Sequence, residues 1–179
     1  MYHIKNDKRA QASSELICAG LLACMKEKPF ARITITDVQH ASTVSRSTFY
    51  RNFDCLEDVL ALLCDRGFQA VFTEYNALPP AQRGSLAKAV FQYWFRNSAV
   101  LEALVQIHRT DILFDSLRRS SGLIEALQPL ADDPARFDYF VAIITSAMIG
   151  VLTVWVEQNG EKLAKNFINA LVLADTNTT

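Results

Sequence analysis

Three observations predict an all-α protein. Apolar residues recur at three- and four-residue spacing along most of the chain, the period of a helix with one buried face. No run alternates Val, Ile or Thr with polar residues as a half-buried strand would. Half of the 179 residues are hydrophobic, with only 6 Gly and 5 Pro. That composition supplies a sizeable core and excludes a mainly disordered, low-complexity or collagen-like chain. About nine helices are expected, the first three forming a helix-turn-helix unit over residues 1–54 and the rest a helical bundle over residues 55–179.

A first helix over residues 7–28 carries Leu16, Ile17, Gly20, Leu21, Cys24 and Met25 at helical spacing. It stops before Pro29, because the residue preceding a proline disfavours the α conformation. After a connector over residues 30–35, Thr34 or Thr36 caps a brief helix to about residue 41, and Ser45 caps another to about residue 52. Asp54 is the cap expected for a longer fourth helix, whose first turn holds Glu57 and Asp58 where the helix dipole favours anions. Residues 78–85, with Pro79, Pro80 and Gly84, form the clearest loop. Beyond it, residues 86–96 and 99–108 read as helices broken at Asn97 and Ser98. Shorter ones follow at 111–119 and 122–127, then a long helix over 135–157 and a closing one over 161–173.

The formal charge of −1 looks neutral, yet it is unevenly spread. Up to Phe53 there are eight basic residues (Lys5, Lys8, Arg9, Lys26, Lys28, Arg32, Arg46, Arg51) against four acidic ones, a balance of +4. The remainder carries −5. Such asymmetry suggests a head facing a polyanion on an acidic body. Cys18, Cys24, Cys55 and Cys64 form no C-x-x-C pair and His3, His40 and His108 lie far apart, so reduced, buried or half-buried thiols and no metal site are expected. No cofactor is expected either. The first residues lack the apolar run of a signal peptide, and a cytoplasmic location follows as the expectation. Residues 139–156 are uncharged for 18 positions, the lower edge of a membrane span. Asp138 and Glu157 flank the stretch in place of Lys or Arg, and Thr145, Ser146 and Thr153 interrupt it. It is therefore read as a helix buried on two faces, with no membrane partner.

Two short helices joined by a tight turn inside the basic third suggest contact with DNA. A recognition helix needs polar residues outside to reach base edges and apolar residues inside to fix its angle. Val44, Phe49 and Phe53 supply the inner face. Ser45, Arg46, Ser47, Thr48, Tyr50, Arg51 and Asn52 offer hydroxyls, an amide and guanidinium groups for bases and phosphates.

The run Ile33-Thr34-Ile35-Thr36-Asp37-Val38, then Val44-Ser45-Arg46-Ser47-Thr48-Phe49-Tyr50-Arg51-Asn52-Phe53, then Glu57-Asp58-Val59-Leu60, resembles the N-terminal signature of TetR-family regulators. The match covers about residues 8–60 in order, spacing and helix length. Phe91-Gln92-Tyr93-Trp94 with Asn97, Leu101 and Leu104, and Gly150, Trp155 and Asn159-Gly160, are similar to the C-terminal type of dihydroxyacetone-kinase-regulator-like members. The resemblance implies a homodimer that reads a pseudo-palindromic operator on double-stranded DNA, most often as a repressor, and releases it when a small-molecule inducer binds the body. It implies that Thr36, Arg46, Ser47 and Thr48 approach bases while Ser45, Tyr50 and Asn52 hold phosphates. Three positions depart from the family pattern. Thr43 stands where a turn Gly is usual, Gln39 where a small Ala is usual, and Leu56 where a phosphate-binding Lys is common. The first costs backbone energy, the second loosens helix packing, and the third lowers affinity and salt dependence.

In the body, Phe68, Phe72, Trp94, Phe95, His108, Phe114, Tyr139 and Phe140 crowd the middle of the sequence. Each ring alone reads as ordinary core; as a set they suggest an inducer pocket among the bundled helices. His108 is expected to be either a buried hydrogen-bonder or a ligand contact. On the long helix, Ala142, Ser146 and Gly150, with Val154 one turn on, form a row that lets another helix approach closely. With Phe167 and Leu171 on the last helix it is expected to build a two-fold interface, although an intramolecular core explains the same row. The rival functional expectation keeps the fold as a coactivator that binds a metabolite and a partner protein without specific DNA binding. An enzyme is not expected, for want of a nucleophile–base pair, a phosphate-cradling Gly loop or a metal cluster.

Overall fold

The structure, a computed structural model, describes residues 2–124 and 133–158. Asp7 starts the first helix by accepting the Ala10 N–H at 2.8 Å, and α1 runs Lys8–Glu27, ending just short of Pro29. A single 3₁₀ turn, Phe30–Arg32, buries Phe30 and leads to α2, Ile35–Ser42. Thr34, not Thr36, caps it. Its hydroxyl accepts the Asp37 N–H while the Asp37 carboxylate accepts the Thr34 N–H, so two orphan donors are satisfied reciprocally. Lys28 closes on the same carboxylate at 2.8 Å. The lysine contact and the Thr34 hydrogen bonds hold the Asp37 carboxyl well below its ordinary range.

α2 ends at Thr43, whose φ of 57° and ψ of 16° lie in the left-handed region. The turn thus has the geometry that a glycine would favour, carried by a β-branched residue. Ser45 then caps α3, Arg46–Asn52, by accepting the Thr48 N–H at 3.3 Å. The fourth helix, α4, spans Leu56–Ala77 and its cap position is Cys55, not Asp54. Asp54 acts as a donor instead: its N–H bonds to Asp58 Oδ2 at 2.9 Å. The acid within the first turn, where the dipole favours it, reaches back to the chain entering the helix.

Beyond the loop, α5 (Leu86–Arg96) begins at the Ser85 cap and α6 (Ser98–Gln106) follows the Asn97 break. α6 stops two residues earlier than its sequence pattern suggests, because His108 adopts φ 55° and the Arg109 N–H closes the end on Leu104 O at 2.8 Å. α7 covers Thr110–Ser120 and runs into a 3₁₀ turn, Ser121–Leu123, at the start of the helix expected over 122–127, of which residues 125–127 lie outside the described residues. α8, capped by Asp133, spans Pro134–Glu157. The described residues are therefore all-α, with eight α-helices and no strand. The expected closing helix over 161–173, and Phe167 and Leu171 with it, lie outside the described residues.

One continuous core runs the length of the molecule. Ile17, Leu21, Val38, Phe49 and Phe53 fill the space between α1, α2 and α3, and Leu60, Phe68, Phe72, Trp94, Leu101, Leu104 and Leu113 extend it around α4. Gly20 lets α1 and α2 meet: a Cβ there would lie 2.8 Å from Ser42 Cβ and 3.1 Å from Val38 O. The half-exposed Gln39 sits off that tight contact, so α1 and α2 pack closely despite it. α4 is shared by both ends of the molecule. It packs on α1, where Arg66 pairs with Glu15 at 2.8 Å, and on α5, α6 and α7. Cys18, Cys24 and Cys64 are buried and Cys55 half-buried, all as free thiols; burial pushes the Cys18 thiol up to about 11.

Candidate nucleic-acid interface and ligand cavity

The outer face of α3 carries most of the expected DNA-contact residues. Phe49 and Phe53 are fully buried and Val44 nearly so, which fixes the helix from behind. Arg46, Ser47 and Arg51 are exposed, Tyr50 is 42% exposed and Thr48 is half-buried. The Arg46 guanidinium lies 5.6 Å from the Tyr50 ring centroid, a cation–π contact that pre-positions both side chains on one face. Ser45 is exposed, but its hydroxyl is engaged with the Thr48 N–H and with the Ser47 and Thr48 hydroxyls at 3.0 and 2.9 Å. Thr36, on the first turn of α2, is exposed as well.

Asn52 departs from its expected role. It is only 2% exposed and its amide donates to Thr48 O at 2.8 Å, so the side chain folds onto its own helix instead of reaching outward. Leu56, in place of a cation, is buried against the same core. A contribution from the N-terminal arm was not anticipated. The His3 N–H donates to Asn52 O at 3.0 Å, and the Tyr2 hydroxyl donates to Asp65 Oδ2 on α4 at 2.5 Å. Asp65 also accepts from Ser116 and, at 2.8 Å, from Arg119 on α7. Burial, then the bond to Asp65, pushes the Tyr2 phenol up to about 12. No spacing in the sequence signals such a contact, because it joins residues 63 positions apart.

The aromatic set in the body divides. A cavity of about 160 Å³ opens between α4, α5, α7 and α8, and of the eight expected ligand residues only Phe72 and Phe140 line it. Its other walls are mainly aliphatic, among them Leu86, Val90, Leu117 and Met148, with the buried Thr145 and Ser121 as the polar groups. Phe68 and Trp94 pack on each other at 5.1 Å between ring centroids as core. Phe95 packs on Trp155 at 4.4 Å, and Phe114 is half-buried away from the cavity. Tyr139 is 74% exposed. His108 is exposed too, because the chain turns out of α6 at its left-handed backbone, so it is neither a buried hydrogen-bonder nor a contact of this cavity. Large rings went to the core because they carry the most apolar surface. The signal for the cavity was the spacing of Leu86, Ala87 and Val90 on one face of α5.

α8 is two-sided. Val141, Thr145, Met148, Ile149 and Leu152 face the core, while Ile143 is 67% exposed and Ser146, Gly150 and Val154 are exposed on the opposite side, with Ala142 half-buried. Residues Arg136–Glu157 are long and apolar enough to cross a membrane by length and composition, with a mean hydropathy of 2.1 over the helix's apolar 18-residue stretch. The buried face shows a second use for that apolarity, which is packing on α5, α6 and α7. Among the described residues no cluster of His, Cys, Asp or Glu is arranged to hold a metal ion.

No family model matches this chain, and no curated protein matches it in sequence. Among solved structures, Lin0861 from Listeria innocua is similar to it at a TM-score of 0.70 and 16% sequence identity. The alignment covers 97% of this chain and 94% of that one, so the likeness is one of whole fold, from the first helix into the body.

Proposed function

We propose that the chain is a TetR-type, homodimeric transcriptional regulator of the cytoplasm, acting as a repressor whose operator binding a small apolar molecule releases. In this reading residues 1–54 bind DNA and residues 55–179 bind the ligand and the second subunit. One observation carries it: α3 sets Arg46, Ser47, Tyr50 and Arg51 on its open face while Phe49 and Phe53 are fully buried behind them. That is the arrangement a helix needs to enter a major groove at a fixed angle. The exposed row on α8 supports pairing with a second copy, which would place two recognition helices on half-sites. The cavity supports an inducer that is mostly apolar and makes one or two hydrogen bonds.

Binding of duplex DNA from the region upstream of its own gene tests the proposal. Arg46→Ala and Tyr50→Phe are expected to weaken sequence-specific binding, the first about tenfold or more if the guanidinium reads a base. Unchanged binding in both would contradict it. A second reading, a coactivator of the same fold that binds a metabolite and a partner protein, is favoured by Asn52 and Leu56 being turned inward. Two positions that would hold phosphates are then lost to the core. A partner that co-purifies in the absence of operator DNA would separate the two readings.

A further inference from the structure

The cavity between α4, α5, α7 and α8 has a polar group that its apolar walls leave unpaired. Thr145 faces it from α8, with Val141 and Met148 one turn to either side, and is only 2% exposed. A buried threonine inside a helix can donate its hydroxyl proton to the carbonyl four residues back. Thr153, two turns further along α8, does so, to Ile149 O at 2.8 Å. Thr145 does not: among the described residues no hydrogen bond engages its hydroxyl. Nor is the oxygen sealed off. Asn52 Oδ1, Asn76 Oδ1, Trp94 Nε1 and Trp155 Nε1 are the described side-chain atoms shut away without a partner, and Thr145 Oγ1 is not among them. It keeps accessible surface, and the space beside it is the cavity.

The other walls set the terms for an occupant. The volume of about 160 Å³ suits a single ring. None of the described residues that line it is charged, so an ion would be buried there without a counter-charge, at high cost. Ser121, the second hydroxyl of the wall, has its proton committed to Arg118 O at 2.7 Å. Thr145 is thus the wall hydroxyl with a proton still to give. Left unpaired in an apolar wall it is costly, and an acceptor on the ligand removes that cost.

We propose that the cavity binds a neutral ring compound carrying one oxygen, of the size and polarity of a phenol, with that oxygen accepting from Thr145 Oγ1. The proposal rests on the cavity being the ligand site of the regulator reading, and it adds the polarity of the ligand. A hydrocarbon of the same size fits but leaves the hydroxyl unpaired. A carboxylate can pair with it but brings a charge that the walls do not balance.

Titration of the full chain with phenol, benzene and benzoate at neutral pH, followed by amide NMR shifts on α5 and α8, is the test. The wild-type protein is expected to bind phenol and benzene, and benzoate at least about tenfold more weakly than phenol. Thr145→Val, which keeps the shape and removes the hydroxyl, is expected to weaken phenol about tenfold and to leave benzene within about twofold. Thr145→Ser is expected to retain phenol. Without ligand, Thr145→Val is expected to melt no lower than wild type, because no hydrogen bond is lost. Phenol binding unchanged in Thr145→Val, or benzoate bound more tightly than phenol, overturns the proposal and leaves the cavity as a ligand site. If neither phenol nor benzene shifts these amides, the ligand site falls and the proposal with it. None of these readouts involves DNA, so their failure is distinct from a failure of operator binding.

Discussion

Thr43 holds a backbone conformation that β-branched residues rarely adopt, and it does so at the centre of the helix-turn-helix. The conformation costs about 1–2 kcal/mol for a residue with a Cβ. Thr43 is exposed, so little packing is lost on removing its side chain. Thr43→Gly is therefore expected to stabilise the protein by about 1 kcal/mol in chemical denaturation, and a loss of stability would show that the side chain is needed. The position was legible in the sequence because the resemblance puts a turn glycine where Thr43 stands. Asn52 and His108 were not, since whether a polar side chain turns in or out depends on what the rest of the fold leaves open. Tyr2 is a further case. Its phenol ionises at about 12 in the fold against about 10 in a free chain, so the neutral form favours the folded arm. The arm's contribution is present below pH 10 and is lost as pH rises towards 12. Ultraviolet titration is expected to show a tyrosinate step near pH 12 that loses the amplitude of one phenol in Tyr2→Phe, while Tyr93, whose phenol burial also pushes up, still titrates late; an unchanged amplitude would contradict the Asp65 contact.

Helix boundaries were the most readable elements, because capping is local. Asp7, Ser45, Ser85 and Asp133 each accept an N–H in the first turn of the helix they start. α4 broke the pattern, because Asp54 sits beside an acid, Asp58, that serves the same end of the helix from within. The apolar cavity was less readable. Aromatic residues announce themselves in a sequence, yet here Phe68 and Trp94 are consumed by the core and the cavity wall is made chiefly of Leu, Ile and Val, with Met148. A dry apolar cavity of about 150 Å³ is large enough for a benzene-sized molecule. The cavity between α5, α7 and α8 is expected to take such a molecule, seen as a rise in melting temperature. Ala87→Phe, which puts a ring into the space, is expected to abolish the rise. An undiminished rise in that variant would place the ligand elsewhere.

At the scale of the whole molecule, the −1 net charge divides into a basic head and an acidic body, and the fold keeps them in contact through α4 and the N-terminal arm. Arg66 ties α4 to Glu15 of the head, and Asp65 ties it to Tyr2 and to α7. A displacement of α7, which lines the cavity through Leu117, is thus one contact away from the arm that meets the end of α3. The exposed side of α8 belongs to this scale as well. Single apolar residues on a surface are ordinary, whereas a row of them along one helix marks an interface. Ile143→Glu is expected to convert a dimer to a monomer in sedimentation, while a wild-type protein that sediments as a monomer would remove the two-headed arrangement.

The claim that joins these scales is that two α3 helices read a sequence on duplex DNA, and a salt titration of binding tests it most directly. The wild-type protein is expected to prefer a pseudo-palindromic site upstream of its own gene over random duplex, with affinity falling steeply as salt rises because phosphate contacts release counterions. Equal affinity for both duplexes at low salt would contradict the account.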